Sequence, residues 1–269
     1  MTCACGHHHP HHAHHHQSHG TPVALPRPMV ALTGRLICAD ATQMMTALSL
    51  LPEHMDLSRA EPGCLRFDLW QDEDPLIWHL SELFVDADAF AAHGARARDS
   101  HWGRESAAIG RDFQRHEVTP VIRRETRNDV DAIDALLRDA FGGGDEAGLV
   151  RALRDQGDLS LSLVAEAAGT ILGHVALSPL EADRPAYALA PLAVTGKARR
   201  LGIGAALLRE AVGWADGASV VVLGDPAYYG PLGFLPAGLD SPYAGPALQM
   251  IGDLPKGGRI RHAPAFAAL

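Results

Sequence analysis

Arg199-Arg200-Leu201-Gly202-Ile203-Gly204 sets two arginines and two glycines directly ahead of Leu207, Leu208, Ala211, Val212 and Ala215, a helical spacing of apolar residues. The chemistry of such a segment is anion binding. Glycines let the backbone approach a phosphate closely, and the first-turn amides around Ile203, Gly204 and Ala205 point at it along the positive end of the helix dipole. Arg199 and Arg200 add charge beside those amides. The spacing is neither the G-x-G-x-x-G of dinucleotide folds nor the Gly-Lys-Ser/Thr ending of a nucleotide-triphosphate loop.

The elements needed to hold this cradle are legible around it. Leu192-Ala193-Val194 reads as the strand before it, and Pro191 suits a strand that bulges and splays there, since proline has no amide for a regular ladder. Ser219 to Leu223 reads as the next strand, followed by GDPAYYGPLGF from Gly224 to Phe234. The R-x-x-G-x-G/A pattern resembles the coenzyme A signature of the GCN5-related N-acetyltransferases (GNAT). With EAGLVRALRDQGDLSLSLVAEAAGTILGHVALSPL and GGRIRHAPAFAAL, the likeness is to the YhbS-type subgroup and covers nearly all of residues 119 to 269.

The resemblance implies acetyl-coenzyme A as cofactor, its pyrophosphate on Arg199 to Ala205 and its pantetheine arm paired with Leu192, Ala193 and Val194. It implies that Tyr229, four residues before Gly233 in a Y-x-x-x-G-F turn, protonates the departing thiolate. A phenol with pKa near ~10 suits that task; a packed pair with Tyr228 is the alternative. Many family members carry a glutamate about four residues ahead of Leu192, where this chain has Ala188. His174, Asp225 or a water chain stay open as the base, with His174 the best titrating choice. Glu146, with Arg151 and Arg154, falls on an early helix that borders the acceptor cleft in the family, where a carboxylate holds an amine; a solvated helix face explains the same residues. Tyr228 joins it as a candidate substrate contact. The acceptor is a small-molecule amine.

Residues 29 to 117 read β-α-β-β-α-β: strand Val30 to Cys38, helix Ala41 to Arg59, strands Cys64 to Trp70 and Leu76 to Phe84, helix Ala87 to Arg98, strand Ile109 to His116. That order gives a ferredoxin-like sandwich. AEPGCLRFDLW with SELFVDADAFAAHGARARDSHWG resembles the antibiotic-biosynthesis-monooxygenase (ABM) family, whose members are usually sheet-packed dimers. Its oxygenases and haem-degrading relatives use an asparagine, a tryptophan and, for haem, a histidine. This chain has Gly34, Phe84 and Ser106 at those places. His93 and His101 remain, with Trp102, as candidate pocket residues. The domain therefore reads as a dimerisation or small-molecule-binding module first and an oxygenase second.

The expected fold class is α+β, a ferredoxin-like ABM-type sandwich followed by a GNAT-type mixed-sheet domain, with a boundary near Thr119-Pro120. A length of 269 residues suits two domains, and 47% apolar content permits real cores. Counted by segment, residues 29 to 117 hold 8 basic against 15 acidic residues and residues 118 to 269 hold 14 against 17, so neither is a nucleic-acid binder by charge. No apolar run approaches the ~18 residues of a membrane span, no signal-peptide core is evident, and four cysteines make no secreted framework. A cytoplasmic homodimer is the expectation. Residues 1 to 28 read as a disordered histidine-rich tail; Cys3, Cys5, His7, His8, His9, His11 and His12 lead its candidate ligands for Zn, Ni or Cu. Two rival readings are a cofactor-independent monooxygenase and a metal-responsive binding protein that retains an inactive transferase fold.

Overall fold

The computed structural model describes residues 22 to 268. Its first element, β1 (Val23–Ala24), pairs antiparallel with β6 (Val121–Arg124) of the second domain, and Leu25 N–H donates to Pro120 O. Residues 23 and 24 thus belong to a sheet, which corrects the expectation of a structureless tail up to residue 28.

The ferredoxin-like half runs β2 (Met29–Ile37), α1 (Ala41–Ala60), β3 (Cys64–Gln71), β4 (Ile77–Phe84), α2 (Ala87–Asp99), α3 (His101–Glu105) and β5 (Gly110–Val118). Local chemistry sets the helix starts: Asp40 accepts from Gln43 N–H and Asp86 from Ala89 N–H, each an N-cap three residues before its partner. The sheet order is β3-β4-β2-β5, all antiparallel, with α1 and α2 over one face.

The second half runs β6, α4 (Val130–Phe141), α5 (Asp145–Gln156), β7 (Leu161–Ala167), β8 (Thr170–Leu180), β9 (Ala186–Val194), α6 (Ile203–Trp214), β10 (Ser219–Leu223), α7 (Pro226–Tyr229), β11 (Leu235–Pro236) and β12 (Leu248–Ile251). Left-handed Gly142 and Gly157 close α4 and α5. Ala168-Gly169, both at positive φ, make the tight β7–β8 turn. The sheet order is β1-β6-β7-β8-β9-β10-β12-β11, antiparallel except for β9 with β10. One core holds α4 and α5 against Val164, Ala176 and Ala193; another holds α6 residues Leu207, Leu208 and Ala211 against Leu172 and Val175 on the other face.

The second of these cores runs into the first domain. Met29, Ala31 and Leu83, on the sheet face away from α1 and α2, pack with Leu25, Ile122 and Leu163. Two side chains tie the halves polarly: Arg66 donates to Ala168 O and Thr170 Oγ1, both at 2.7 Å, and Lys197 Nζ donates to Arg59 O and to Cys64 O, the latter at 3.0 Å.

Candidate active site

Strand β9 is the axis of the site. Ala186 to Leu189 pair in parallel with Ser219 to Val222 of β10, and there the ladder stops. From Ala190 to Val194, β9 is paired on its β8 edge alone, across a register shift between Val175 and Leu177 where Pro191 sits. The other edge of Leu192, Ala193 and Val194 pairs with no strand, although Val194 O accepts from Arg199 Nε, and it is a template for an amide-bearing chain. Ala188, at the place of the family carboxylate, is buried between Ser178 and Val221 and offers no acid or base.

The cradle follows. Residues Gly196 to Ala198 form a 3-10 turn, and Arg200 (φ +67°) and Gly202 (φ +84°) take left-handed conformations that bring the chain sharply into α6. Gly202 caps α6 without a side-chain bond, which leaves the first-turn amides to an outside acceptor. A side chain at Gly202 would meet no atom within 4 Å, so the glycine serves the backbone conformation and the open approach. Gly204 has a different role: a Cβ there would lie 2.6 Å from the Tyr228 hydroxyl. Ile203 is buried in the α6 core, and Leu201 packs against the same core. Ala205 is half-buried, Arg199 folds back to donate to Val194 O at 3.3 Å, and Arg200 is exposed.

Beyond β10, Asp225 Oδ1 accepts from Ala227 N–H at 2.9 Å and caps α7. The Tyr229 ring lies over Gly224, where a Cβ would be 2.3 Å from its Cε2, and meets Phe234 edge-on at 5.5 Å. Tyr228 stands perpendicular to Tyr229 at 4.9 Å and is 41% exposed, with its hydroxyl at the start of α6. Burial raises the pKa of both phenols, and for Tyr229 the neighbouring Tyr228 raises it further, so both hold their protons at neutral pH. Gln249, which the sequence reading missed, is buried on β12 and fixes Gly224 O at 3.1 Å.

His174 requires a correction. It is sealed from solvent, facing the α4–α5 layer at the end of a buried chain. Arg154 donates to both oxygens of Glu125 at 2.9 and 3.0 Å, Ser162 Oγ donates to Glu125 Oε2, and His174 Nε2 lies 2.8 Å from Ser162 Oγ. With Ser162 donating to the carboxylate, the imidazole donates through Nε2 and leaves Nδ1 without a partner. Burial pulls its pKa down to about 4, against the raising effect of Glu125. It is a neutral structural histidine, not a base at the open strand edge. Asp225, committed to its cap, is likewise not arranged as one. Glu146 is half-buried on α5 and free of ion pairs among the described residues, whereas Arg151 pairs with Asp134 and Arg154 with Glu125, so the three do not act together.

The first domain holds a cavity of about 380 Å³ between its sheet and helices. His93 lines it, with Nδ1 2.9 Å from Glu61 Oε2, and so does Trp102; His101 is exposed outside it, which corrects that assignment. Ser106 is buried and bonded to Trp102 O and Arg111. Gly34 could carry no side chain, since a Cβ would fall 2.1 Å from Asp112 O, so an oxygenase asparagine has no room there. Two buried lining groups went unread, Glu82 and His54. Glu82 was findable: in an alternating strand it shares a face with Leu80 and Phe84.

The proposed metal ligands Cys3, Cys5, His7, His8, His9, His11 and His12 lie outside the described residues. Among the described residues no group of three or more His, Cys, Asp or Glu is placed to hold a metal, and no helix is long and apolar enough to cross a membrane.

A parallel strand pair that splays into an uncapped, glycine-led helix start defines the acetyltransferase class of α/β fold. The model of the acetyltransferase (GNAT) family matches residues 130–228, and that of the antibiotic biosynthesis monooxygenases matches residues 37–100. The uncharacterized N-acetyltransferase YhbS of Escherichia coli K12 is 42% identical over 121 residues, covering 42% of this chain and 72% of that protein. The crystal structure of E. coli YhbS in complex with CoA is 35% identical, covers 55% of this chain and 92% of its own, and superposes with a TM-score of 0.51. A GNAT acetyltransferase from Brucella melitensis in complex with acetyl-CoA is 32% identical over 55% of this chain and 97% of its own, with a TM-score of 0.48. The chain belongs to the GNAT family of N-acetyltransferases, with an ABM-type domain ahead of the transferase fold.

Proposed function

We propose that the chain transfers the acetyl group of acetyl-CoA to the amine of a small molecule. The observation that carries this is the unpaired edge of Ala190 to Val194 leading into the uncapped start of α6, the arrangement that would receive an amide-rich arm and then a pyrophosphate. Complexes of the related YhbS with CoA and of the Brucella protein with acetyl-CoA support the cofactor. Tyr229 is assigned the proton for the departing thiolate, with Tyr228 the neighbouring candidate. With no carboxylate at Ala188, and with His174 and Asp225 set aside as bases, the amine loses its proton to water in the cleft. Glu146 is retained as the carboxylate that holds the ammonium form before transfer.

Gly202→Asp tests the cradle. It puts a side chain on a left-handed backbone and a carboxylate where the anion would lie. Calorimetry should show CoA affinity at least about 10-fold weaker, or about 1.4 kcal/mol. Wild-type affinity in this variant removes the cradle assignment.

The first domain is read as a dimerisation or small-molecule-binding module. The absence of room at Gly34 disfavours the oxygenase alternative.

A further inference from the structure

Coenzyme A is longer than the cleft and cradle together. Its pantetheine arm would run along Leu192 to Val194 and its pyrophosphate would sit at the start of α6, so its adenosine must lie beyond the cradle. Beside the cradle stands the first domain. A groove of about 330 Å³ opens between Leu201, the linking residues 26 to 28, the start of α2 and the end of β5. Its floor belongs to the core that the two domains share: Met29 is buried, and Leu201 packs against the same cluster. Pro26, Pro28 and Val85 complete the apolar walls. The volume lies at the low end of the range of about 300–1,000 Å³ for ligand pockets, room for a nucleoside and not for a whole coenzyme.

The rim of the groove is charged and uneven. Asp86, Asp88 and Glu117 line it from the first domain and Arg27 from the linking residues, all of them exposed. Asp86 is committed through Oδ1 to the Ala89 N–H, as the cap of α2. Asp88, Glu117 and Arg27 are in no ion pair among the described residues. Three carboxylates against one guanidinium repel a phosphate, so the groove does not suit the phosphorylated ribose. A flat base with an exocyclic amine fits it. The faces of such a base lie on proline, valine and leucine, and its amine donates to carboxylates, the stronger class of acceptor.

We propose that this groove takes the adenine base of coenzyme A, so that the first domain supplies part of the cofactor site. Asp88 and Glu117 accept from the amine of the base, Leu201 and Val85 hold its faces, and the phosphates stay on the cradle side with Arg199 and Arg200. The proposal rests on the transferase cleft taking acetyl-CoA. Of the groove's lining only Leu201 belongs to the transferase fold, so the fused domain adds cofactor affinity, and selection for the base, that the transferase fold alone would lack.

Three ligands test it on the full chain by calorimetry: CoA, phosphopantetheine, which lacks the nucleotide, and etheno-CoA, whose adenine amine is closed into a ring and donates nothing. The wild type should bind CoA about three- to tenfold more tightly than etheno-CoA, the margin of one or two hydrogen bonds. A double variant, Asp88→Ala with Glu117→Ala, should lose that margin by binding CoA more weakly, with etheno-CoA and phosphopantetheine unchanged. Ala87→Trp, which fills the groove from an exposed position, should weaken CoA and etheno-CoA alike and leave phosphopantetheine unchanged. Equal binding of CoA and etheno-CoA by the wild type, wild-type CoA affinity in Ala87→Trp, or an equal loss of all three ligands in either variant would each overturn the proposal. So would tighter CoA binding by the double variant, which would show that the carboxylates only repel the phosphates. In each of these cases CoA still bound by the wild type leaves the transferase reading standing; a wild type that binds neither CoA nor phosphopantetheine removes both.

Discussion

At the residue scale the chain separates groups that hold protons from groups that only fill space. Tyr229 keeps its proton through burial and sits on Gly224 at the end of β10, where the splayed strands open. Tyr229→Phe should leave CoA binding intact while lowering turnover about 10- to 1000-fold, as expected for loss of one general acid. Steady-state kinetics beside a CoA titration check this, and an equal loss confined to Tyr228→Phe would move the role to that hydroxyl. The cradle and the tyrosine pair were legible because glycines, arginines and phenols at fixed spacings have few other reasons to coincide. The roles of His174 and Asp225 were not, since a histidine on a strand reads alike whether it meets a cleft or a buried Ser162–Glu125–Arg154 chain many residues away.

At the element scale, helix and strand boundaries followed the sequence closely. Asp40 and Asp86 cap their helices, Gly142 and Gly157 close theirs, and strands β2 to β5 alternate as their side chains require. What the pattern hid was a carboxyl on the inner face of β4. The folded pKa of Glu82, about 8, lies above its ordinary value, so the folded state holds a proton the unfolded chain releases, and stability falls as pH rises from about 4.5 to about 8. His54 (about 3) and His174 (about 4) lie below their ordinary value of 6.5, so the unfolded chain binds the extra protons and stability falls as pH drops below about 6.5. Between about pH 5 and 6 the two histidines and Glu82 therefore oppose each other. Glu82→Gln removes one side: stability by urea unfolding should stop declining between pH 6.5 and 8, and should decline more steeply below pH 6.5, by about 1.4 kcal/mol per pH unit relative to wild type. Parallel pH profiles for the two proteins would mean that Glu82 is ionised when folded.

At the scale of the whole molecule, the two domains share a core, and this bears on assembly and on the cradle. The expected dimer face is the side of the first sheet away from α1 and α2, yet Met29, Ala31 and Leu83 on that side are covered by the chain's own second domain. What stays open is the other end of the same face, with the Arg35–Asp112 pair and with Trp70, 51% exposed, stacked on His79 at 5.3 Å. A dimer through residues 29 to 117 must then centre on Trp70. Light scattering across a concentration series should show association that Trp70→Asp abolishes, and a wild-type monomer at every concentration removes the reading. The shared core also anchors the cofactor loop. Lys197, two residues before Arg199, donates to Arg59 O in the last turn of α1 and to Cys64 O, where the helix dipole favours a cation. No motif marks this contact, because its partners are backbone carbonyls 138 and 133 residues away in sequence. If the first domain braces the cradle, Lys197→Met should weaken CoA binding about 3- to 10-fold, or about 0.7–1.4 kcal/mol. It should also speed hydrogen exchange at residues 195 to 202, without changing exchange around the cavity lined by Glu82. Unchanged CoA affinity together with unchanged exchange would show that the cradle holds its shape without the domain in front of it.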